Sequence, residues 1–472
     1  MIRFGYFFSQ QYSYNYKITG VYMKKSVNKK IISLSLRLGV LLFGATQLGA
    51  ISINEAVQAA VQNHPLVQAA KQEVLSSAQK IEIAKGGYYP TLDVSANFGD
   101  ENSKTKGKND TSYTKKDYKG GTHLEAVAVQ NIFNGFKDTS SVAKSKAEYK
   151  TSQYAQNIDV EKLSFDVINT YLEIIKLRET IKFEKISIAK YEEYYTLTQK
   201  KLNATGQKSE PFTVKSKLQK AKSDYINLTW KLKRENEKFL QLTGIAADDN
   251  MSAQMLSLVK EMSLDDLLIS LKSKNSELNQ YLSKIKAKKA EVKLGKAAYY
   301  PKLDFELKAY KDEDIEAFET KTEQASAMFK LKYNLFNGLK DSSSIEKARV
   351  ERLKLKSEYD KKNIEQIEKI KTQYELYQDS KSRVDILKSY IQTQEELTAL
   401  YQEEFKLGKR TIINLVDSQQ DLKNARVSYI NTFIDMVKST YTIVYATGGL
   451  NAALQDTALQ DAKFVALNEK KL

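Results

Sequence analysis

The chain has 472 residues, of which 42% are hydrophobic, and a mean hydropathy of -0.50, which is too little apolar material for the two or three globular cores its length could hold. The formal charge of +16 points to nucleic acid only until positions 1–50 are set aside: they hold seven basic residues and no acid, and the remaining +9 is lysine interleaved with glutamate, a solvated helix face that implies no nucleic-acid partner. Cysteine is absent, which excludes disulfides, thiolate metal sites and a lipidated N-terminal cysteine.

Residues 1–50 read as an N-terminal extension and signal peptide. Met23-Lys24-Lys25 opens a basic stretch, Ile31 to Phe43 is apolar apart from Arg37, and Leu48-Gly49-Ala50 offers small residues for cleavage. A membrane anchor is the alternative, but the apolar run is shorter than the roughly 20 residues that span a bilayer. Residues 1–22 precede a second possible start at Met23, as an extension or an over-called start codon. No later segment is apolar enough to span as a helix, so an exported chain that enters a membrane must do so with strands closed into a barrel.

The rest of the chain says nearly the same thing twice. Tyr88-Tyr89-Pro90-Thr91-Leu92-Asp93 returns as Tyr299-Tyr300-Pro301-Lys302-Leu303-Asp304, and Phe133-Asn134-Gly135-Phe136-Lys137-Asp138 as Phe336-Asn337-Gly338-Leu339-Lys340-Asp341. Repeat 1 is assigned to 51–243, with a helix, a hairpin at 91–133, a long helix at 136–205 and a return helix at 210–242. A linker or equatorial segment follows at 244–262. Repeat 2 covers 263–449, with a helix, a hairpin at 302–336, a long helix at 339–407 and a return helix at 411–446, before a tail at 450–472. Each of the four prolines, Pro65, Pro90, Pro211 and Pro301, is expected at an element boundary.

In the hairpins the residues alternate with period two. Leu92, Val94, Ala96 and Phe98 oppose Asp93, Ser95 and Asn97; Leu303, Phe305, Leu307 and Ala309 oppose Asp304, Glu306 and Lys308; Ala325 to Leu335 alternate with Ser326 to Asn334. This suits a strand with one face to lipid and one to a watery lumen, a soluble sandwich with one wet face being the alternative. The first hairpin has 43 positions between its Pro and Phe landmarks against 35 in the second, and the excess is assigned to its connecting loop. Four strands are too few for a membrane barrel, which begins at about eight, so a barrel requires several chains.

Neither Gly nor Pro interrupts Phe136 to Thr205 or Leu339 to Leu407. Helices of that length reach roughly 100 Å. Val160, Val167, Ile174, Ile181, Ile188, Tyr195 and Leu202 recur every seven residues, as do Ile370, Tyr377, Val384 and Ile391, with Thr398 a lapse before Phe405. Such a repeat makes a left-handed coiled arrangement. Ile168, Leu172 and Ile175 form a second stripe, so this helix has neighbours on two sides, as a ring of helices needs. Gly206 and Gly408 mark the ends of the two long helices.

These motifs, with Ser52-Ile53-Asn54-Glu55-Ala56, Asn63-His64-Pro65 and Gly408-Lys409-Arg410-Thr411-Ile412-Ile413-Asn414-Leu415-Val416-Asp417, resemble the TolC family of outer-membrane channel proteins from about Ile51 to Leu450. The resemblance implies a mainly α fold with a small β part: long coiled-coil helices forming a periplasmic α-barrel, and four strands per chain contributing to a trimeric 12-stranded β-barrel in the outer membrane of a Gram-negative bacterium. It implies a homotrimer in outer-membrane lipid, a periplasmic membrane-fusion adaptor docking near Gly206, Gly408 and Lys409, and an inner-membrane ABC transporter or proton-driven pump. It also implies a periplasmic gate. Arg410 and Asp417 match the gate motif, Asn414 stands where the family often has aspartate, Phe405 where a tyrosine can stand, and Glu210 is a looser candidate. Tyr88, Tyr89, Tyr299, Tyr300, Phe133 and Phe336 fall where a helix meets a strand, at the expected lipid interface.

No phosphate-binding loop or clustered metal ligands accompany the two histidines, His64 and His123, so no enzyme activity and no cofactor is expected. A passive conduit remains, for type I secretion or for drug or metal efflux. Leu331-Lys332-Tyr333-Asn334-Leu335-Phe336-Asn337-Gly338 and Phe405-Lys406-Leu407-Gly408-Lys409-Arg410-Thr411 look more like the type I secretion branch. A periplasmic coiled-coil scaffold without a pore is a third reading.

Overall fold

A computed structural model of the chain describes residues 51–109, 111–205, 209–256, 263–313, 321–455 and 459–461. The expected signal segment, Gly206, part of the 244–262 linker and most of the 450–472 tail lie outside the described residues. The fold is mainly helical with one small sheet. Repeat 1 contains α1 (Ile53–Asn63), α2 (Pro65–Lys85), β1 (Thr91–Thr105), β2 (Thr114–Phe133), α3 (Lys137–Thr205) and α4 (Ser209–Thr243). The short strand β3 (Gln254–Leu256) follows. Repeat 2 contains α5 (Leu264–Lys274), α6 (Ser276–Lys296), β4 (Lys302–Glu313), β5 (Lys321–Lys332), α7 (Lys340–Lys406) and α8 (Ile412–Thr447), before α9 (Leu450–Gln455) and β6 (Leu459–Asp461).

Local chemistry sets the helix ends. Ser52 and Glu55 form a capping box on α1. His64 caps α2, its Nδ1 accepting from the Leu66 amide at 3.2 Å, and Pro65 occupies the first helical position, where no amide is needed. One of the two histidines thus has a purely structural use. Asn275 caps α6 by accepting from the Leu278 amide at 2.8 Å, and its Nδ2 donates to the Ala446 carbonyl at 2.8 Å, tying α6 to the end of α8.

Each strand-to-helix turn is built by its Asn-Gly pair. Asn134 Oδ1 accepts from the Lys137 amide at 3.1 Å while its Nδ2 donates to Asp138 at 2.6 Å; Asn337 donates likewise to Asp341 at 3.3 Å. Two successive residues then take positive φ in both copies, Gly135 and Phe136 at 67° and 65°, Gly338 and Leu339 at 57° and 64°. For Phe136 and Leu339 this conformation costs about 1–2 kcal/mol each. A Cβ on Gly135 would lie 2.6 Å from the Ala297 carbonyl oxygen, so a side chain is excluded there by space as well as by φ.

The four hairpin strands make one antiparallel sheet in the order β1-β2-β4-β5. Its register collects Leu92, Val94, Ala126, Leu307 and Phe329 on one face, and Asp93, Glu125, Asp304, Glu306 and Lys330 on the other. The polar face is cross-linked: Lys330 reaches Glu306 at 2.6 Å, Lys308 reaches Glu125 at 2.6 Å, Asn131 donates to Asp304 at 2.7 Å, and His123 lies between Asp312 and Glu125.

Two expectations about the hairpins change. The surplus of the first is not loop: the β1–β2 ladder runs on to Thr105↔Thr114, so the connection is residues 106–113, and the extra length is a two-stranded ribbon above the point where Thr122 pairs with Glu313. That stretch lacks apolar alternation, and its backbone ladder makes it strand. Conversely, β5 ends at Lys332, where its partner Lys302 follows Pro301, although the alternation continues to Leu335. Among the described residues Tyr333 to Leu335 have no strand to pair with.

The heptad stripe is the buried seam. Val167, Ile174 and Ile370 are fully buried, as are Ile168 and Leu172 of the second stripe, so α3 is covered on two sides. Thr398 is no lapse: it is buried in the same seam, bonding the Gln394 carbonyl at 2.7 Å and Ser418 Oγ at 2.6 Å. The largest core surrounds mid-α3, where Tyr171 donates to the Ile51 carbonyl at 2.8 Å and accepts from the Ser252 amide at 3.2 Å. Tyr441 of α8 similarly donates to the Gln254 carbonyl at 2.9 Å.

Glu161 of α3 lines a small cleft with Glu277, Lys362, Lys369 and Tyr445. Burial, reinforced by the charge of Glu277, pushes its carboxyl up to about 7 from an ordinary 4.5. Between those values the unfolded chain has lost a proton that the folded chain keeps, so stability falls as pH rises through the interval, by at most ~3 kcal/mol. Glu161→Gln should match the parent below about pH 4.5 and exceed it above about pH 7. Denaturant melts of the detergent-solubilised protein at either side of the interval test this, and an equal gain at both would remove the carboxyl as the cause.

Candidate functional site

Two regions carry the candidate residues: the turn joining α7 to α8, and the junction of helices with strands. At the first, α7 closes in a Schellman arrangement, with the Gly408 amide bonding the Phe405 carbonyl at 2.9 Å and the Lys409 amide the Glu404 carbonyl at 2.8 Å. Gly408 has φ +74°, the left-handed conformation that this closure requires. Lys409 is exposed at the tip beside it.

Arg410 folds back across this turn. Its Nε donates to Glu404 Oε2 at 2.6 Å and its guanidinium lies 4.3 Å from the centre of the Tyr401 ring. The aromatic partner of Arg410 is therefore Tyr401, one helical turn before Phe405, whereas Phe405 is half-buried against the local core. Asn414 is held within its own chain: its Oδ1 accepts from the Thr411 amide at 3.3 Å and the Thr411 hydroxyl at 2.8 Å, a cap worth about 1 kcal/mol. Asp417 is largely exposed and pairs with Lys217 of α4 at 3.8 Å. Such an exposed pair contributes only about 0–1 kcal/mol.

Glu210 sits apart from these groups in exposure: it is 8% exposed at the start of α4, next to the equally buried Pro211. The tip helices share a small apolar core, with Tyr191 and Tyr194 of α3, Val214 and Leu218 of α4, and Ile412 and Val416 of α8, against which Tyr401 and Phe405 of α7 pack. Polar links brace this core. Tyr191 donates to Gln420 at 3.2 Å, Gln402 to Tyr194 at 3.2 Å, and Lys222 pairs with Glu192 at 2.7 Å.

Further along the same helices, Lys423 meets Glu184 at 3.2 Å with both side chains buried, and Arg426 meets Glu395 at 2.7 Å. Desolvation pushes the Glu184 carboxyl up despite Lys423. Lys217, Tyr401, Glu404, Glu184 and Lys423 were not among the sequence candidates. Glu404 and Tyr401 could be found from their spacing to Arg410 across the glycine turn. Nothing in the period of α4 marks Lys217.

At the helix–strand junction, Phe133, Phe136 and Tyr300 meet edge to face, with ring centres 5.4 to 6.3 Å apart. Tyr88 donates to Thr139 at 3.4 Å, linking the start of the first hairpin to α3. Tyr89, Tyr299 and Phe336 remain exposed, as do Leu92, Val94, Phe98, Phe329 and Leu331 on the apolar face of the sheet. Charges thus face one side of a sheet whose other side is apolar and open. No helix among the described residues is long and apolar enough to cross a membrane.

Comparison with known proteins gives this arrangement its family. The chain is similar in fold to CusC (TM-score 0.72, 12% identity, covering 86% of this chain and 96% of that one). It is similar also to the Campylobacter jejuni CmeC outer membrane channel (0.72, 16%, 84% and 86%) and to the outer membrane protein VceC from Vibrio cholerae (0.72, 13%, 84% and 96%). A search of the curated proteins found no significant match. The model of the outer membrane efflux protein family matches residues 56–244 and 267–449, one segment for each repeat. With both repeats matched across most of its length, the chain belongs to the outer membrane efflux protein family.

Proposed function

We propose that the protein is the outer-membrane conduit of a tripartite export system, a homotrimer whose twelve strands close a barrel and whose long helices continue the pore across the periplasm. The sheet carries this reading. It has two unpaired edges, β1 and β5, that run in opposite directions, so β5 of one copy can pair antiparallel with β1 of the next. The apolar face turns to lipid, and the paired charges of the other face line a wet lumen. Cargo crosses without meeting hydrocarbon, and the energy comes from an inner-membrane partner joined through an adaptor at the Gly206 and Gly408 turns.

Type I secretion of protein substrates with an ABC transporter is the use we favour, on the sequence character of residues 331–338 and 405–411. The efflux description of the family favours the alternative, a small-molecule pump. Deleting the gene in its own host separates them. Loss of a large protein from the medium with unchanged tolerance of dyes and detergents supports secretion; the opposite pattern overturns it. A purified oligomer that inserts into planar bilayers without conducting, even with the tip residues altered, would return the protein to a scaffold role.

The tip ion pairs are the proposed restraint on the closed state. Three Lys217–Asp417 pairs at about 0.5 kcal/mol each amount to ~1.5 kcal/mol, about tenfold in the ratio of open to closed. Asp417→Ala should raise single-channel conductance or open time accordingly. Asn414→Asp, which keeps the cap and adds a carboxylate at the turn, should lower it. Unchanged recordings for both variants would take these residues out of the gate.

A further inference from the structure

The contact between the two repeats inside one chain is a template for the contact between chains, and we infer from it the residue-by-residue pairing by which a second copy of this chain docks on the β5 edge. The inference rests on the oligomeric barrel proposed above and goes further by fixing its register. Within the chain, the end of hairpin 1 meets the start of hairpin 2: Phe133 pairs with Leu303, Asn131 with Asp304, Val129 with Glu306 and Ala126 with Ala309. The Tyr-Tyr-Pro and Phe-Asn-Gly landmarks place Leu303 in the position of Leu92 and Phe133 in that of Phe336. Applied to the open edges, the same pairing sets Phe336 opposite Leu92 of the next copy, Asn334 opposite Asp93, Lys332 opposite Ser95 and Phe329 opposite Phe98.

Three observations support this register. It keeps faces consistent: Phe329 and Phe98 both lie on the apolar face, and Asn334 and Asp93 both on the polar one. A slip of one residue would reverse every pair. The exposures of the two junctions are complementary. Gly135 is buried and residues 303–306 are half-buried, whereas their counterparts Gly338 and 92–95 are fully exposed in the single chain. A Cβ on Gly135 would strike Ala297 and Tyr300, while one on Gly338 meets nothing, so the close approach that a glycine permits there is left unused within the chain. The counterparts of Ala297 and Tyr300 are Gly86 and Tyr89 of the next copy.

The register also accounts for the early end of β5. Residues 130–133 are strand because β4 lies beside them, and their counterparts 333–336 become strand when Leu92 to Val94 of a neighbour take that place. The hydrogen bond from Asn131 to Asp304 predicts its twin from Asn334 to Asp93 across the interface.

The absence of cysteine from the chain makes the test clean. Within one chain β1 and β5 are separated by two strands, about 14 Å, too far for a disulfide, so any bond between them is intermolecular. Full-length Asp93→Cys/Asn334→Cys protein, oxidised in native membranes, should run in denaturing gels as covalent dimers and trimers. Asp93→Cys/Lys330→Cys, four residues out of register, should give at least ~10-fold less. Leu331→Cys/Ala96→Cys repeats the test on the lipid side, should the polar pair disturb folding.

Native mass of the cysteine-free parent is measured alongside. A trimer that cross-links only through Lys330, or through none of these pairs, overturns the register and leaves the trimer standing. In-register cross-links in an assembly of another size keep the register and overturn the trimer. A monomer without cross-links overturns both.

Discussion

In hydrocarbon an amide or carbonyl without a partner costs several kcal/mol, and each chain brings two whole strand edges of them. No rearrangement within one chain can satisfy both, because β1 and β5 lie at opposite ends of a four-stranded sheet. The remedy has to come from outside the chain. That requirement orders much of the rest: the duplicated unit, the even strand number, and the opposite directions of the two edges all serve closure of a sheet on itself.

The helices meet a similar demand by softer means. A ring of helices in water needs every member covered on two sides, and the double stripe on α3 meets this with Val167 and Ile174 on one side and Ile168 and Leu172 on the other. Between the mid-bundle core and the apolar core of the tips, the seam carries hydroxyl, amide and ion-pair contacts, such as Thr398 with Ser418 and Lys423 with Glu184. Leaving one partner of such a buried pair unmatched costs several kcal/mol, so these contacts fix which helix faces which.

How much of this is legible in the residues depends on whether period or partner determines it. Heptads, alternation and glycine stops are properties of one segment, and they give the long helices and the membrane portion of the hairpins. Partners on other segments leave no such trace. Lys217 is one lysine among many until α4 is seen beside Asp417, and Tyr401, outside the expected gate residues, supplies the ring beside Arg410. Asn414 reads as a lost gate carboxylate, yet its amide has local work capping α8. The extra height of hairpin 1 is invisible because backbone pairing needs no particular side chains.

That two-stranded ribbon extends the sheet by eight residues, roughly 25 Å, past the last pairing with repeat 2. Among the described residues no strand lies beside its outer edges, whose backbone groups are left to water. Its two strands are joined to each other through the backbone ladder. Lengthening or shortening both strands equally at their tip leaves every facing below unchanged, so this is the part of the sheet freest to vary in length.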